Sequence, residues 1–140
     1  MSSESIAEYK IILASNSSIR KKILEDSGIS FEVIASDVDE EELKKSFSSK
    51  NFKDNCLALA KAKALEVSNK QKNAYVIGSD QICCYGEEIF SKPLTKENCF
   101  KTLSKLSGNT HYQNCGISIC KDGKEIWSHY AQASLTMKSL

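Results

Sequence analysis

Short β-branched runs alternate with capped, helix-spaced segments along this chain, and that alternation is what most restricts its fold. Residues 9–14 (YKIILA) are apolar and β-branched, which predicts a first buried strand. Ser15-Asn16-Ser17-Ser18 follows, a cluster of N-capping residues. Residues 20–27 then read as a helix, with Ile19, Ile23 and Leu24 at helical spacing and Gly28 as its stop. Residues 31–35 (FEVIA) predict a second strand, and a short helix begins near Glu40 and fades by Phe47. The clearest helix is 53–67, where Leu57, Ala60, Ala64 and Val67 fall on one stripe. Residues 74–84 predict a buried strand interrupted at Gly78-Ser79-Asp80-Gln81, followed by a small strand at 87–90. Thr95 caps a helix to Leu106 with Cys99, Leu103 and Leu106 on one face, ended by Gly108. The strands 112–120 and 125–137 are joined by Lys121-Asp122-Gly123-Lys124, a hairpin signal through Asp-Gly. The order β-α-β-α-α-β-β-α-β-β is mixed α/β, in one domain over 1–140.

Composition removes several function classes. Nineteen basic against 18 acidic residues leave a net charge of +1, so no global field draws in a nucleic-acid polymer or an anionic membrane. No apolar run approaches the roughly 20 residues of a spanning helix, and the polar N-terminus with Glu4 and Glu8 is no signal peptide. The expected location is cytoplasmic. The six cysteines have no CxxC spacing and are expected to be reduced. Two histidines are too few for a zinc site.

Five segments can carry chemistry. The strand-to-helix turn at 15–22 (SNSSIRKK) offers free backbone N–H groups, serine hydroxyls and Arg20, which together suit an anion such as a triphosphate; an ordinary N-cap explains the same residues. Asp80 is a carboxylate in an apolar strand, where it can close the strand at a cleft as general base or cation ligand, or merely make a turn. Lys92, fixed before Pro93, can meet phosphate oxygens or be a surface lysine. Within Asp37, Asp39, Glu40, Glu41 and Glu42 some oxygens can hold a divalent cation, although such a run is also a normal solvated helix start. Lys63 falls at the edge of the buried stripe of the long helix, or serves solubility.

Taken in order, these segments resemble the Maf family of nucleoside triphosphate pyrophosphatases. LASNSSIRKKIL (13–24) is similar to the family's opening signature, and GISFEVIASDVDE (28–40) to the segment after it. LAKAKA (59–64), VIGSDQICCYGEEIFSKP (76–93) and LSGNTHYQNCGISI (106–119) follow in the family's order over nearly the whole chain. The resemblance implies an α/β fold of the Maf/ITPase kind, a mixed twisted β-sheet flanked by helices with a central cleft. It implies hydrolysis of a nucleoside triphosphate to monophosphate and pyrophosphate, with Mg²⁺ or Mn²⁺, as house-cleaning of non-standard nucleotides. Ser15, Ser17, Arg20, Lys63 and Lys92 would contact phosphates, Glu40 and Asp80 would lie near the metal, and Asp80 would activate water. Ile19 and Gln81 fall at base-selecting positions. Family members acting on 7-methyl-GTP carry glutamine after the aspartate, and those preferring dTTP and UTP carry threonine, so Gln81 points to the methylated-guanine branch. Ser18-Ile19 departs from the family's Pro-Arg or Pro-Trp, which leaves a non-catalytic nucleotide binder as the alternative. Relative to the family the chain is expected to be shortened at its C-terminus, and the apolar surface this would expose favours either self-association, for instance as a homodimer, or poor solubility.

Overall fold

Residues 9–45, 51–85, 88–90 and 95–139 are described in the computed structural model, 88–90 by their backbone alone. The strands are β1 (Lys10–Leu13), β2 (Glu32–Val33), β3 (Ala74–Tyr85), β4 (Glu88–Phe90), β5 (Thr110–Lys121) and β6 (Lys124–Thr136). They form one sheet in the order β2-β1-β3-β5-β6, with β4 paired to the far end of β3. The helices are α1 (Ser18–Asp26), α2 (Glu40–Lys44), α3 (Phe52–Ser68) and α4 (Lys96–Leu106). This succession is the one the sequence predicts.

The sheet is mixed. β2, β1 and β3 run parallel, whereas β3, β5 and β6 are antiparallel. β1 ends opposite Ile77, but β3 continues along β5 to Cys84. The carboxyl end of β1 therefore opens beside the second half of β3, the kind of position where open α/β sheets bind ligands.

α3 packs against β3, β5 and β6. Ile12, Ala14, Ala64, Val67, Ala74, Val76 and Cys120 form the core between helix and sheet. Two glycines permit the close approach. A Cβ on Gly78 would sit on the backbone oxygen of Ala60 and 2.8 Å from the Ala64 nitrogen; one on Gly116 would lie 2.7 Å from the carbonyl of Cys56. Both glycines stand on the α3 side of the sheet, which strand alternation gives also to Asp80. Ile77, Ser79 and Gln81 point to the other side.

Several elements differ from expectation. β3 is not interrupted at 78–81: Gly78, Ser79, Asp80 and Gln81 pair in register with Ser118, Ile117, Gly116 and Cys115. Ladder pairing overrides the local turn preference of Gly-Ser-Asp, and the glycine serves helix packing instead. The strand foreseen at 31–35 contracts to Glu32–Val33. α1 starts at Ser18, earlier than expected, because Ser17 is its N-cap. The α4 stripe is not buried: Cys99 is exposed, Leu103 is 38% exposed, and Leu106 alone of that helix is buried. The hairpin turn tightens to Asp122 (φ 51) and Gly123 (φ 81), the two left-handed residues of a type I′ turn. All six cysteines are free. Among the described residues no helix is long and apolar enough to cross a membrane.

Candidate active site

The chain leaves β1 at Leu13 and turns through residues 14–17 into α1, and this turn forms the floor of a polar cavity of about 300 Å³. Ser15, Ser17 and Arg20 line it from the turn, Ser36 and Glu40 from the segment after β2, and Lys63 from α3. Ser15 is buried, and its Oγ accepts from the Ser17 N–H (3.0 Å) and from Arg20 Nη1 (3.4 Å). Ser17 Oγ accepts from the Arg20 N–H at 3.3 Å, the ordinary capping bond. The cap and the cradle are thus the same residues. Each hydroxyl is used as an acceptor, which leaves its proton for an incoming anion.

Lys63 joins the two acids named from sequence. Its Nζ lies 2.7 Å from Glu40 Oε1 and 3.2 Å from Asp80 Oδ1. Side-chain exposure is 14% for Lys63 and 13% for Asp80 but 44% for Glu40, so the lysine–aspartate half is the desolvated one. Burial pushes the Asp80 carboxyl above its usual range; Lys63 pulls it back, Glu40 adds to the rise, and Arg20 opposes it more weakly. A carboxyl so held suits proton transfer better than a fully solvated one.

The remaining acids of 37–42 have structural work. Asp39 caps α2 through Glu42 N, and Glu41 and Glu42 pair with Lys44 and Lys45 on the surface. Lys70 Nζ bridges Asp37 Oδ2 (3.3 Å) and Glu66 Oε2 (2.5 Å), while Glu66 Oε1 accepts from the Asp37 N–H at 2.7 Å. The Asp37 N–H and Lys70 together hold Glu66 below its usual carboxyl range. This clasp ties the segment carrying Glu40 to α3, the helix that carries Lys63.

A second cavity, about 480 Å³, adjoins the first and shares Ser17 and Arg20 with it. Leu13, Ile19, Ile23, Leu24, Ile77 and Ile117 make it apolar, and Ser79, Gln81 and Cys115 are polar exceptions. Both cavities have the size of small-molecule sites. Asp80 and Gln81, adjacent in sequence, face opposite sides of β3. A ligand reaching both must pass the end of β1, where Ser17 and Arg20 stand.

Ser15, Ser17, Arg20, Glu40, Lys63 and Asp80 are therefore brought together, and Ile19 and Gln81 share the neighbouring cavity. Lys92 lies outside the described residues. Sequence reasoning missed Ser36, Ser79 and Cys115. Period-2 alternation starting from Asp80 would have put Ser79 beside Gln81, but only with the strand read as continuous.

The Maf-like protein family matches residues 10–140. The chain belongs to that family. Among relatives of this Maf-like chain, the 7-methyl-GTP pyrophosphatase of Brucella abortus biovar 1 (strain 9-941) is 39% identical over 133 residues, 94% of this chain and 67% of the relative. The nucleoside triphosphate pyrophosphatase of Legionella pneumophila (strain Corby) is 37% identical over 138 residues, 99% of this chain and 69% of the relative. Among solved structures, a HAM1 protein from Coxiella burnetii superposes with a TM-score of 0.53 at 17% identity, covering 90% of this chain and 70% of that one. That likeness concerns the fold, and it agrees with the Maf/ITPase α/β architecture expected from sequence.

Proposed function

We propose that this Maf-like chain hydrolyses a nucleoside triphosphate to the monophosphate and pyrophosphate, with the triphosphate in the polar cavity and the base in the apolar one. The relatives' pyrophosphatase names support the reaction class, that of a hydrolase of phosphorus-containing acid anhydrides. The observation that carries the assignment is the Glu40–Lys63–Asp80 cluster at the edge of a serine- and arginine-lined cavity that opens into an apolar one. Arg20, common to both cavities, is the natural ligand of the α-phosphate. Ser15 and Ser17 donate hydroxyl protons to phosphate oxygens, and Lys63 neutralises charge on the phosphate chain.

In this mechanism Asp80 accepts a proton from water as the water oxygen bonds to the α-phosphorus. The bond from the α-phosphorus to the bridging α–β oxygen breaks, and pyrophosphate leaves with its electron pair. Glu40 and Asp80 fit a divalent cation: each carboxylate spends one oxygen on Lys63 and keeps another, and Mg²⁺ is commonly held by one or two carboxylates plus substrate phosphates. Among the described residues no group of three or more acidic, histidine or cysteine side chains is gathered for a metal. Mg²⁺ or Mn²⁺ so bound would withdraw charge from the phosphate oxygens.

The finer reading is 7-methyl-GTP as substrate and removal of modified nucleotides from the cytoplasmic pool as the role. Gln81 supports it, since its amide can both donate to and accept from a purine edge, and the isoleucine-lined wall suits a methyl group. Pyrophosphate release should be assayed with Mg²⁺ or Mn²⁺ across 7-methyl-GTP, GTP, dTTP and UTP, with Asp80→Asn as control. Release from 7-methyl-GTP that Asp80→Asn abolishes is the expected result. A preference for dTTP or UTP overturns the substrate, and binding without release from any nucleotide leaves a nucleotide-binding protein in place of an enzyme.

A further inference from the structure

Ser79 stands out among the groups around the apolar cavity. It is 7% exposed and lines the cavity wall between Ile77 and Gln81 on β3. Among the described residues its hydroxyl has no hydrogen-bond partner. Most of the cavity lining, including Leu13, Leu24 and Ile117, can neither donate nor accept. A hydroxyl that opens onto such a space with no protein partner is available to a ligand atom, and losing a hydrogen bond made there would weaken binding. Ser15, by contrast, is also buried but already accepts two hydrogen bonds.

Gln81 lies on the same face, two residues and roughly 6–7 Å further along the strand. Gln81 is exposed, whereas Ser79 is buried in the same cavity wall. A base that satisfies both must be long enough to reach from one to the other and must carry hydrogen-bonding atoms at both ends. A fused two-ring base has that length, and a single pyrimidine ring held at Gln81 does not extend to Ser79.

We infer that Ser79 is a specificity-determining residue, selecting purine over pyrimidine nucleotides by hydrogen-bonding one end of the base in the cavity while Gln81 reads the other. The inference rests on the nucleotide-site reading above. It adds a second polar contact to that site and commits the site to a two-ring base.

The test is kcat/KM for GTP and 7-methyl-GTP against dTTP and UTP, in the full chain and in Ser79→Ala and Ser79→Val. Ser79→Ala removes only the hydroxyl, and Ser79→Val also fills its place with methyl groups. The purine-to-pyrimidine ratio is expected to fall about tenfold in Ser79→Ala, and further in Ser79→Val as purine KM rises. An unchanged ratio in both variants, with turnover retained, overturns the role of Ser79 and leaves the pyrophosphatase reading intact. Should the unaltered chain hydrolyse none of the four, that reading fails, and calorimetric binding of GMP and UMP to the same three proteins decides Ser79 separately. A preference for GMP that disappears in Ser79→Ala upholds it. Equal binding of the two, no binding, or a preference indifferent to the substitution overturns it.

Discussion

On one side of the sheet α3 lies against Gly78 and Gly116, and Ile12, Ala64, Val67, Val76 and Cys120 are almost wholly excluded from water. On the other side α1 buries none of its residues: Ile19 is 72% exposed and Ile23 62% exposed, and both line an open cavity. The same strands supply both faces. Small residues on one face let a helix settle onto the backbone, and large β-branched residues on the other leave a hollow with apolar walls. Stability is concentrated on the α3 side and ligand-sized space on the α1 side, and the acid–lysine cluster sits where the two meet. Substitutions should therefore sort by face, those on the α3 side acting on folding and those on the α1 side on ligand preference.

The largest effect is expected from Gly78→Ala. Its Cβ would collide with the backbone of α3, which cannot rotate away as a side chain can, so the helix must shift. Overpacking of this kind costs about 3 kcal/mol, read as a lower urea midpoint. Displacing α3 also moves Lys63, so activity should fall with stability. A Gly78→Ala protein of unchanged midpoint would show that α3 is not seated on the sheet as described.

Lys63→Met comes next and tests the seam between the faces. It leaves Asp80, largely buried, opposite Glu40 with no cation between them. The expected cost is about 1–3 kcal/mol, together with a loss of turnover on the order of 100-fold. With the main influence lowering the Asp80 pKa removed, the acid limb of the kcat/KM profile should move to higher pH.

Asp80→Asn should act in the opposite direction on stability. The folded state holds the Asp80 proton more tightly than the unfolded chain, chiefly through burial. Its contribution to stability is therefore greatest below the unfolded pKa and is lost as pH rises through the raised folded value. Asparagine does not titrate, so the variant should lose less stability than the unaltered chain between pH 3 and pH 7. Its Tm at pH 7 should be higher by about 2–4 °C, while turnover disappears. In the active protein the same shift predicts a kcat/KM that falls on the acid side at a pH above the ordinary carboxylate range. A lower Tm at pH 7 in Asp80→Asn would mean that the Lys63 pairing outweighs burial.

Legibility in the sequence followed the same division. The order of elements was readable because each rests on local signals: capping residues Ser17 and Thr95, the alanine-rich stripe of α3, and the Asp-Gly turn. The α3 face was half readable, since its helix stripe shows in the sequence but the role of Gly78 and Gly116 as its seat does not; a glycine in a strand looks like an interruption until a helix is laid on it. The site was readable as residue types and not as an arrangement. Lys63 is 17 residues from Asp80 and 23 from Glu40, and only the packing of α3 on β3 brings the three together. The α1 face was least readable, because the hollow depends on how little α1 is packed, and the helical spacing of Ile19, Ile23 and Leu24 does not show how far they are covered.

The smallest effect on stability, and the sharpest test of the comparison, belongs to Ile19→Ala. Ile19 is mostly in water, so truncating it should leave the urea midpoint within about 0.5 kcal/mol of the unaltered chain. It nevertheless lines the apolar cavity together with Gln81, where a bound base would cover it. Losing that contact should raise KM for the preferred nucleotide about 3- to 10-fold, with kcat little changed, because the contact is with the base and not with the reacting phosphate. A variant that loses several kcal/mol and keeps its KM would reverse the assignment, making Ile19 part of the packed framework and removing the α1 side from substrate selection.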